Sequence, residues 1–238
     1  MHRKWFRPKN RVWKVEFMAL EALIFDFDGT LLDTETPEYA HFLELYREHG
    51  LTLKLEDWQG AVGTWNAFDA WEPFRHLGES ELERLQARHQ SALMAHLTDL
   101  DLRPGVKTVL EQAKAKGLKL AIASSSSQEW VVGFLTRHGL MNTFDALATR
   151  WEVEKVKPDP ALYLLALEKL SLRPENALAL EDSLNGYGAA VGAGLLCVVT
   201  PHAVTASLPF PASAPRLETL EGGLSVLEGI YTEFYSRG

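Results

Sequence analysis

Leu23-Ile24-Phe25-Asp26-Phe27-Asp28-Gly29-Thr30 is an apolar run that ends in two aspartates one residue apart. Its β-branched and aromatic residues predict a strand over about 20–26. On a strand, side chains at i and i+2 point to the same side, so Asp26 and Asp28 are expected to converge on one small volume. Two carboxylates that close repel, and a cation or a shared proton must compensate. Gly29 lets the chain turn there, and Thr30 can hydrogen-bond within the turn. A strand running into an ordinary Asp-Gly turn would look the same, so this segment alone does not decide between a turn and a site.

Outward from that strand, residues 35–102 show no convincing strand. Tyr39, Phe42, Leu43, Leu45 and Tyr46 recur at helical spacing, as do Leu82, Leu85, His89, Leu93 and Leu97. Beyond Pro104-Gly105 the pattern alternates. Helices are expected to Lys116, to about His138, from Pro158 to about Leu170, over 184–193 and near 223–235. Between them, strands are expected at Leu118–Ala123, near 144–149, at Ala177–Leu180 and at Leu195–Val199. Strands alternating with helices imply a doubly wound parallel sheet covered on both faces. The fold class is therefore α/β, with an all-helical insertion after the first strand. The predicted organisation is a basic extension over 1–17, a core formed by 18–34 and 103–238, and a helical unit over 35–102. The Pro-, Ser- and Ala-rich stretch 206–215 reads as a surface loop.

Composition limits the function classes. The chain has 238 residues, 46% hydrophobic and 24% charged, which is ordinary for a soluble globular protein. No apolar run approaches the roughly 20 residues of a membrane span, and no signal peptide is evident. Residues 1–17 hold six bases and one acid, leaving 18 basic against 31 acidic residues in the rest. A body that acidic argues against nucleic acid as a partner. The single Cys197 lies in an apolar strand, reads as a core thiol, and suits a cytoplasmic protein.

In open parallel sheets, ligands bind beyond the carboxyl ends of the strands. Asp26 and Asp28 follow the first strand, Ser124 follows Leu118–Ala123, Lys157 precedes the helix at Pro158, and Glu181 and Asp182 follow Ala177–Leu180. Asp26, Asp28 and Asp182 offer only hard oxygen ligands, which suits Mg2+ better than zinc. A phosphoryl group arriving there would meet the metal, the Lys157 ammonium and the Ser124 hydroxyl. One aspartate can then attack phosphorus while the other protonates the leaving oxygen.

Asp26-Phe27-Asp28-Gly29-Thr30, Ser124 after its strand, Lys157-Pro158-Asp159-Pro160, and Glu181-Asp182-Ser183 with Gly186 resemble, in order and spacing, the four motifs of the haloacid dehalogenase superfamily. The resemblance covers about residues 20–200 and is greatest to the phosphoglycolate phosphatase and β-phosphoglucomutase-like group with a helical cap. It implies a Rossmann-like core with the cap at 35–102. It also implies that Asp26 is the nucleophile and a metal ligand, and that Asp28 is the acid/base and lends its carbonyl to the metal. By the same resemblance Ser124 and Lys157 hold the phosphoryl group, and Asp182 is a further ligand with Glu181 nearby or acting through water. Adjacent Glu181 and Asp182 cannot both point inward from a regular strand, which suits unequal roles.

Dehalogenases that resemble this fold lack the second aspartate, so Asp28 favours phosphoryl transfer. Phosphonate-cleaving relatives also lack it and use a cap lysine, whereas Lys54 here shows no supporting feature. Glu38 stands where β-phosphoglucomutase-like members carry a histidine, which weakens a mutase reading. The expected activity is Mg2+-dependent hydrolysis of a small phosphorylated metabolite by a monomer or homodimer; a phosphomutase and a catalytically silent phosphate-binding protein are the alternatives. Gly63 and Thr64, in the glycine-flanked loop Gly60–Trp65, are the expected substrate-facing cap residues. A second phosphate on the substrate would need Arg75 or another cap arginine. Trp65, Phe68, Trp71 and Phe74 recur near i, i+3 and read as helix core. Ser125–Ser127 read as a polar loop with a helix cap. The glycines at 186, 188, 192 and 194 read as allowing close helix–sheet packing.

Overall fold

The computed structural model describes residues 19–65 and 67–236. The basic extension expected over 1–17 lies outside them. Five parallel strands form one sheet: β1 (Ala22–Phe25), β2 (Lys119–Ala123), β3 (Ala146–Ala148), β4 (Ala177–Glu181) and β5 (Leu196–Val199), in the order β3-β2-β1-β4-β5. The chain builds outward from β1 through β2 to β3, then returns to the other side of β1 for β4. β1 therefore lies at the reversal of strand order, where doubly wound sheets open a crevice.

Strand residues alternate by size. Leu23, Phe25, Leu120, Ile122, Leu178 and Leu180 belong to one core cluster, with residues of α4 (Val106–Ala115), α5 (Gln128–Arg137) and α8 (Leu224–Ser236). Ala22, Ile24, Ala121, Ala123, Ala177 and Ala179 belong to the other, with α6 (Ala161–Leu170) and α7 (Leu184–Gly192). The alanines leave room for Tyr163 and Leu167 of α6 to seat on the sheet. Strands buried on both faces read as continuous apolar runs, which is why all five were visible as such.

Between β1 and β2 the chain forms α1 (Glu35–Glu48), α2 (Leu55–Gln59), a 3-10 turn over Glu72–Leu77, and α3 (Glu79–Thr98). This segment has its own apolar cluster around Phe42, Tyr46, Trp58 and Phe74. The aromatic spacing at 65–74 does not report an α-helix, however. The chain over 60–65 and 67–71 is turns, bends and irregular structure, and only Phe74 of the four is fully buried. Glycines at 60 and 63, Asp69 and Pro73 break up that stretch, since each favours a turn over a helix interior. Trp65 is exposed. The segment 206–215 is irregular as expected, but Arg216 pairs with Val199 at the sheet edge. Among the described residues, no helix is long and apolar enough to cross a membrane.

Candidate active site

The register delivers the site. Phe25 pairs with Ile122 on one side and Leu180 on the other, so Asp26, Ser124 and Glu181–Asp182 emerge at nearly the same level. The Asp26 N–H continues the ladder by donating to Leu180 O at 2.9 Å. Gly29 then turns the chain at φ +81°, and a Cβ there would lie 2.4 Å from Asp182 Oδ2. The turn is clamped from behind by Arg103, whose guanidinium donates to the carbonyls of Gly29, Thr200 and Pro201.

Asp26, Glu181 and Asp182 bring one carboxylate oxygen each to within 4.8 Å of one another, all buried. Lys157, fully buried, donates to Asp26 Oδ1 and, at 2.7 Å, to Glu181 Oε1. Tyr163 Oη donates to the same Glu181 oxygen at 2.6 Å. Burial works against the Lys157 ammonium, but the two facing carboxylates outweigh it and hold its pKa above the usual range. Burial pushes Asp26 the other way, well above the ordinary carboxylate range; Lys157 opposes this, and Glu181 and Asp182 add to it. With all three ionised, three carboxylates would face one ammonium, an excess of two negative charges that burial and mutual repulsion oppose. Asp26 Oδ2 is buried with no hydrogen-bond partner among the described residues. An acceptor that is buried, unpartnered and oxygen-only, in a pocket of three carboxylates and one ammonium, fits a hard divalent cation.

Glu181 and Asp182 both reach this cluster, contrary to the alternation argument. Asp182 lies one residue past the end of β4, where strand alternation no longer applies. Their surroundings differ all the same. Asp182 accepts from Thr30 Oγ1 at 3.3 Å and from His202 Nε2 at 2.9 Å. His202 Nδ1 lies 3.4 Å from the Val204 nitrogen, 3.2 Å from Thr36 Oγ1 and 3.4 Å from Asp33 Oδ1, while the Asp182 carboxylate facing Nε2 accepts a hydrogen bond from that side of the ring. Gly186 stands where any Cβ would fall within about 2 Å of the Glu181 carboxylate, so this glycine makes room for a site residue and not for helix–sheet packing.

Asp28 is turned away from the trio. Its carboxylate accepts from Thr34 Oγ1 and Trp130 Nε1, each at 2.9 Å, and from Ser126 Oγ. Burial raises its pKa, and those three donors hold the rise back. Ser126 and Trp130 were not among the residues singled out; only the polar loop and cap role of Ser125–Ser127 was. Ser127 does cap α5, accepting from the Trp130 N–H at 3.3 Å. Ser124 is buried, and its Oγ accepts from the Ser126 N–H at 3.0 Å.

A cavity of about 1070 Å³ opens between these strand ends and the helical segment, with Asp26, Asp28 and Ser124 in its floor. Gly63 and Thr64 line it, but their polar groups are engaged with the core. Gly63 O accepts from Ser125 Oγ at 3.0 Å, and Thr64 Oγ1 donates to Lys157 O. Asn185 Nδ2 donates to Gly60 O and Val62 O, which seats the same loop. Glu35 and Glu38 line the wall, and burial raises both carboxyls: Glu35 well above the usual range, Glu38 to about 7. Arg75, the expected grip for a second phosphate, is already paired with Asp69.

A family model for haloacid dehalogenase-like hydrolases matches residues 23–200. The Bacillus subtilis protein YhcW is 42% identical over 206 residues, 84% of this chain and 92% of its own. The phosphorylated carbohydrates phosphatase of Thermotoga maritima is 33% identical over 74% of this chain and 82% of its own. Among solved structures, a mutant of CbbY from Rhodobacter sphaeroides in complex with xylulose 1,5-bisphosphate superposes with a TM-score of 0.68. It is 32% identical and covers 87% of this chain and 98% of its own. Its sheet, its strand-end carboxylates and these relatives place the chain in the haloacid dehalogenase-like hydrolase family, as an enzyme of the phosphoric monoester hydrolase type.

Proposed function

We propose that this enzyme is a Mg2+-dependent phosphatase that hydrolyses a small sugar or polyol phosphate through an aspartyl phosphate on Asp26. The observation that carries the reading is the buried trio Asp26, Glu181 and Asp182 with Lys157 bonded into it, while Asp28 stands apart on donors of its own. Names among the relatives point to phosphorylated carbohydrates as the substrate class. Asp26, Glu181 and Asp182, with the backbone carbonyl of Asp28, would hold Mg2+, which supplies charge neutralisation at the phosphoryl oxygens.

The chain's own residues do the rest. A carboxylate oxygen of Asp26 attacks phosphorus and the ester P–O bond breaks. Asp28 gives its proton to the leaving alkoxide, then takes one from the water that attacks the aspartyl phosphate and releases inorganic phosphate. The Ser124 hydroxyl and the Lys157 ammonium hold the phosphoryl oxygens. The helical segment 35–102 serves as the cap, with Gly63 and Thr64 closing over the substrate and excluding bulk water.

Phosphate release from a panel of sugar and polyol phosphates tests the proposal. Asp26→Asn and metal chelation should each abolish release, and activity surviving both overturns it. Phosphorus NMR on glucose 1-phosphate separates the alternatives, since a mutase isomerises it without releasing phosphate. A silent binder turns over nothing in the panel.

A further inference from the structure

Arg150 lies two residues past β3, with its N–H bonded to Ser126 O at 3.1 Å. Its guanidinium is stacked between two indoles, 3.7 Å from the centroid of Trp65 and 4.0 Å from that of Trp151. Trp65 comes from the helical segment and Trp151 from the core. Stacking satisfies the faces of a guanidinium, not its in-plane N–H groups. Arg150 Nε and Nη1 are both buried with no hydrogen-bond partner among the described residues, although each is an obligatory donor. Among the described residues, no carboxylate lies within ion-pair distance of it. Glu129 feels it only weakly: its pKa is lowered first by the backbone at the start of α5, then by Ser127, and last by Arg150. The other arginine on the cavity wall, Arg75, is paired with Asp69, and His89, pushed down to about 4 by burial, is neutral.

A guanidinium that lines a cavity, with two of its nitrogens buried and unpartnered, is a candidate site for an anion that reaches those donors. We infer that Arg150 binds a second anionic group of the substrate, a phosphate or a carboxylate at the end remote from the phosphoryl group that is cleaved. This rests on the phosphatase reading and deepens it. β3 is two strands from β1, so the backbone at Arg150 stands roughly 10 Å to the side of that at Asp26, a separation that a five- or six-carbon chain with charged ends can bridge. Glu35 and Glu38 line the same cavity and offer carboxyls that could hydrogen-bond a polyol. The substrate class is then a short sugar or polyol carrying phosphate at one end and an anion at the other.

Three probes that differ only at one end test this: sorbitol 6-phosphate, sorbitol 1,6-bisphosphate and 6-phosphogluconate. The wild-type enzyme should favour at least one anion-ended probe over sorbitol 6-phosphate by about tenfold or more in kcat/KM, chiefly through KM, and the preferred probe tells phosphate from carboxylate. In Arg150→Gln that ratio should fall to near one. In Arg150→Lys, which keeps the charge and loses the planar donors, it should be intermediate, and this second variant guards against misfolding of the first. Equal kcat/KM for all three probes in the wild type overturns the inference while leaving a phosphatase. So does an unchanged ratio in Arg150→Gln, the result expected if Arg150 is only a latch between the two tryptophans. No release from any probe or from p-nitrophenyl phosphate overturns the phosphatase reading, and the inference falls with it.

Discussion

Replacing Lys157 with Met tests the electrostatics of the site independently of catalysis. The methionine is close to lysine in length and removes only the ammonium. What remains is three buried carboxylates whose oxygens lie within 4.8 Å of one another, with Asp26 and Glu181 stripped of their shared donor. At that separation and an effective dielectric of ~20, each pair of charges repels by about 3 kcal/mol. The carboxyls escape part of this by binding protons, so the net loss should match a buried ion pair with one partner removed, about 3–5 kcal/mol. For a chain of this size that is a fall in Tm of roughly 10 °C. The loss should depend on pH. Burial already holds Asp26 and Glu181 above their ordinary range, and removing Lys157 raises both further. The folded variant then binds protons that its unfolded chain does not, so its stability declines as pH rises from near 4 through those raised values. Urea denaturation followed by circular dichroism, in chelator and at pH 5 to 8, measures this. The gap to wild type should be widest at high pH and should narrow when millimolar Mg2+ supplies the missing charge. A variant that unfolds with the wild type in chelator at pH 7.5 refutes the reasoning, as does a gap indifferent to Mg2+.

Three further outcomes follow from the same geometry. Glu38 is enclosed but partly open to the cavity, and its pKa near 7 means that stability present below about 4.5 is lost as pH rises through 7; Glu38→Gln should flatten that loss by about 1–2 kcal/mol in thermal unfolding between pH 5 and 8. His202→Ala removes the donor that orients Asp182 and should weaken Mn2+ or Mg2+ binding about 10- to 100-fold in calorimetric titration, with the fold intact by circular dichroism. Trp130→Phe deletes one donor to the Asp28 carboxylate, so the limb of the kcat profile that Asp28 governs should move to higher pH.

The sequence made the sheet legible because each strand is a continuous apolar run, and a parallel sheet forces such runs. It made the convergence of Asp26, Ser124 and Asp182 legible because strand ends in such a sheet converge whatever the intervening chain does, whereas Lys157, in the loop before α6, stood out only by its place beside Pro158-Asp159-Pro160. The rest of the site depends on contacts that no local pattern announces. Ser126 and Trp130 meet Asp28 from about a hundred residues away, and a run of four serines gives no hint which hydroxyl is used. His202 and Arg150 sit in loops, where side-chain direction follows from packing and not from a period. The aromatic spacing over 65–74 misled for the opposite reason. A helical period appeared in a stretch whose glycines, Asp69 and Pro73 form turns, leaving Trp65 free to stack on Arg150.

The two aspartates of the opening motif differ because their neighbours differ. Asp26 is buried and Asp28 half-buried, and desolvation raises both carboxyls. Asp26 shares its pocket with Glu181, Asp182 and Lys157, so its protonation follows the charge balance of that group. A divalent cation among the three carboxylates would reverse the balance and leave Asp26 ionised, as the proposed nucleophilic role requires. Asp28 answers to Thr34, Ser126 and Trp130 and lies outside the trio, so the same cation would act on it less. Its burial would still favour the protonated form, which a leaving alkoxide needs. Separating a nucleophile from an acid in this way needs no difference in residue type. It needs one carboxylate inside the acidic cluster and one held just outside it, and the turn at Gly29 with the donors of the α5 loop provides that separation.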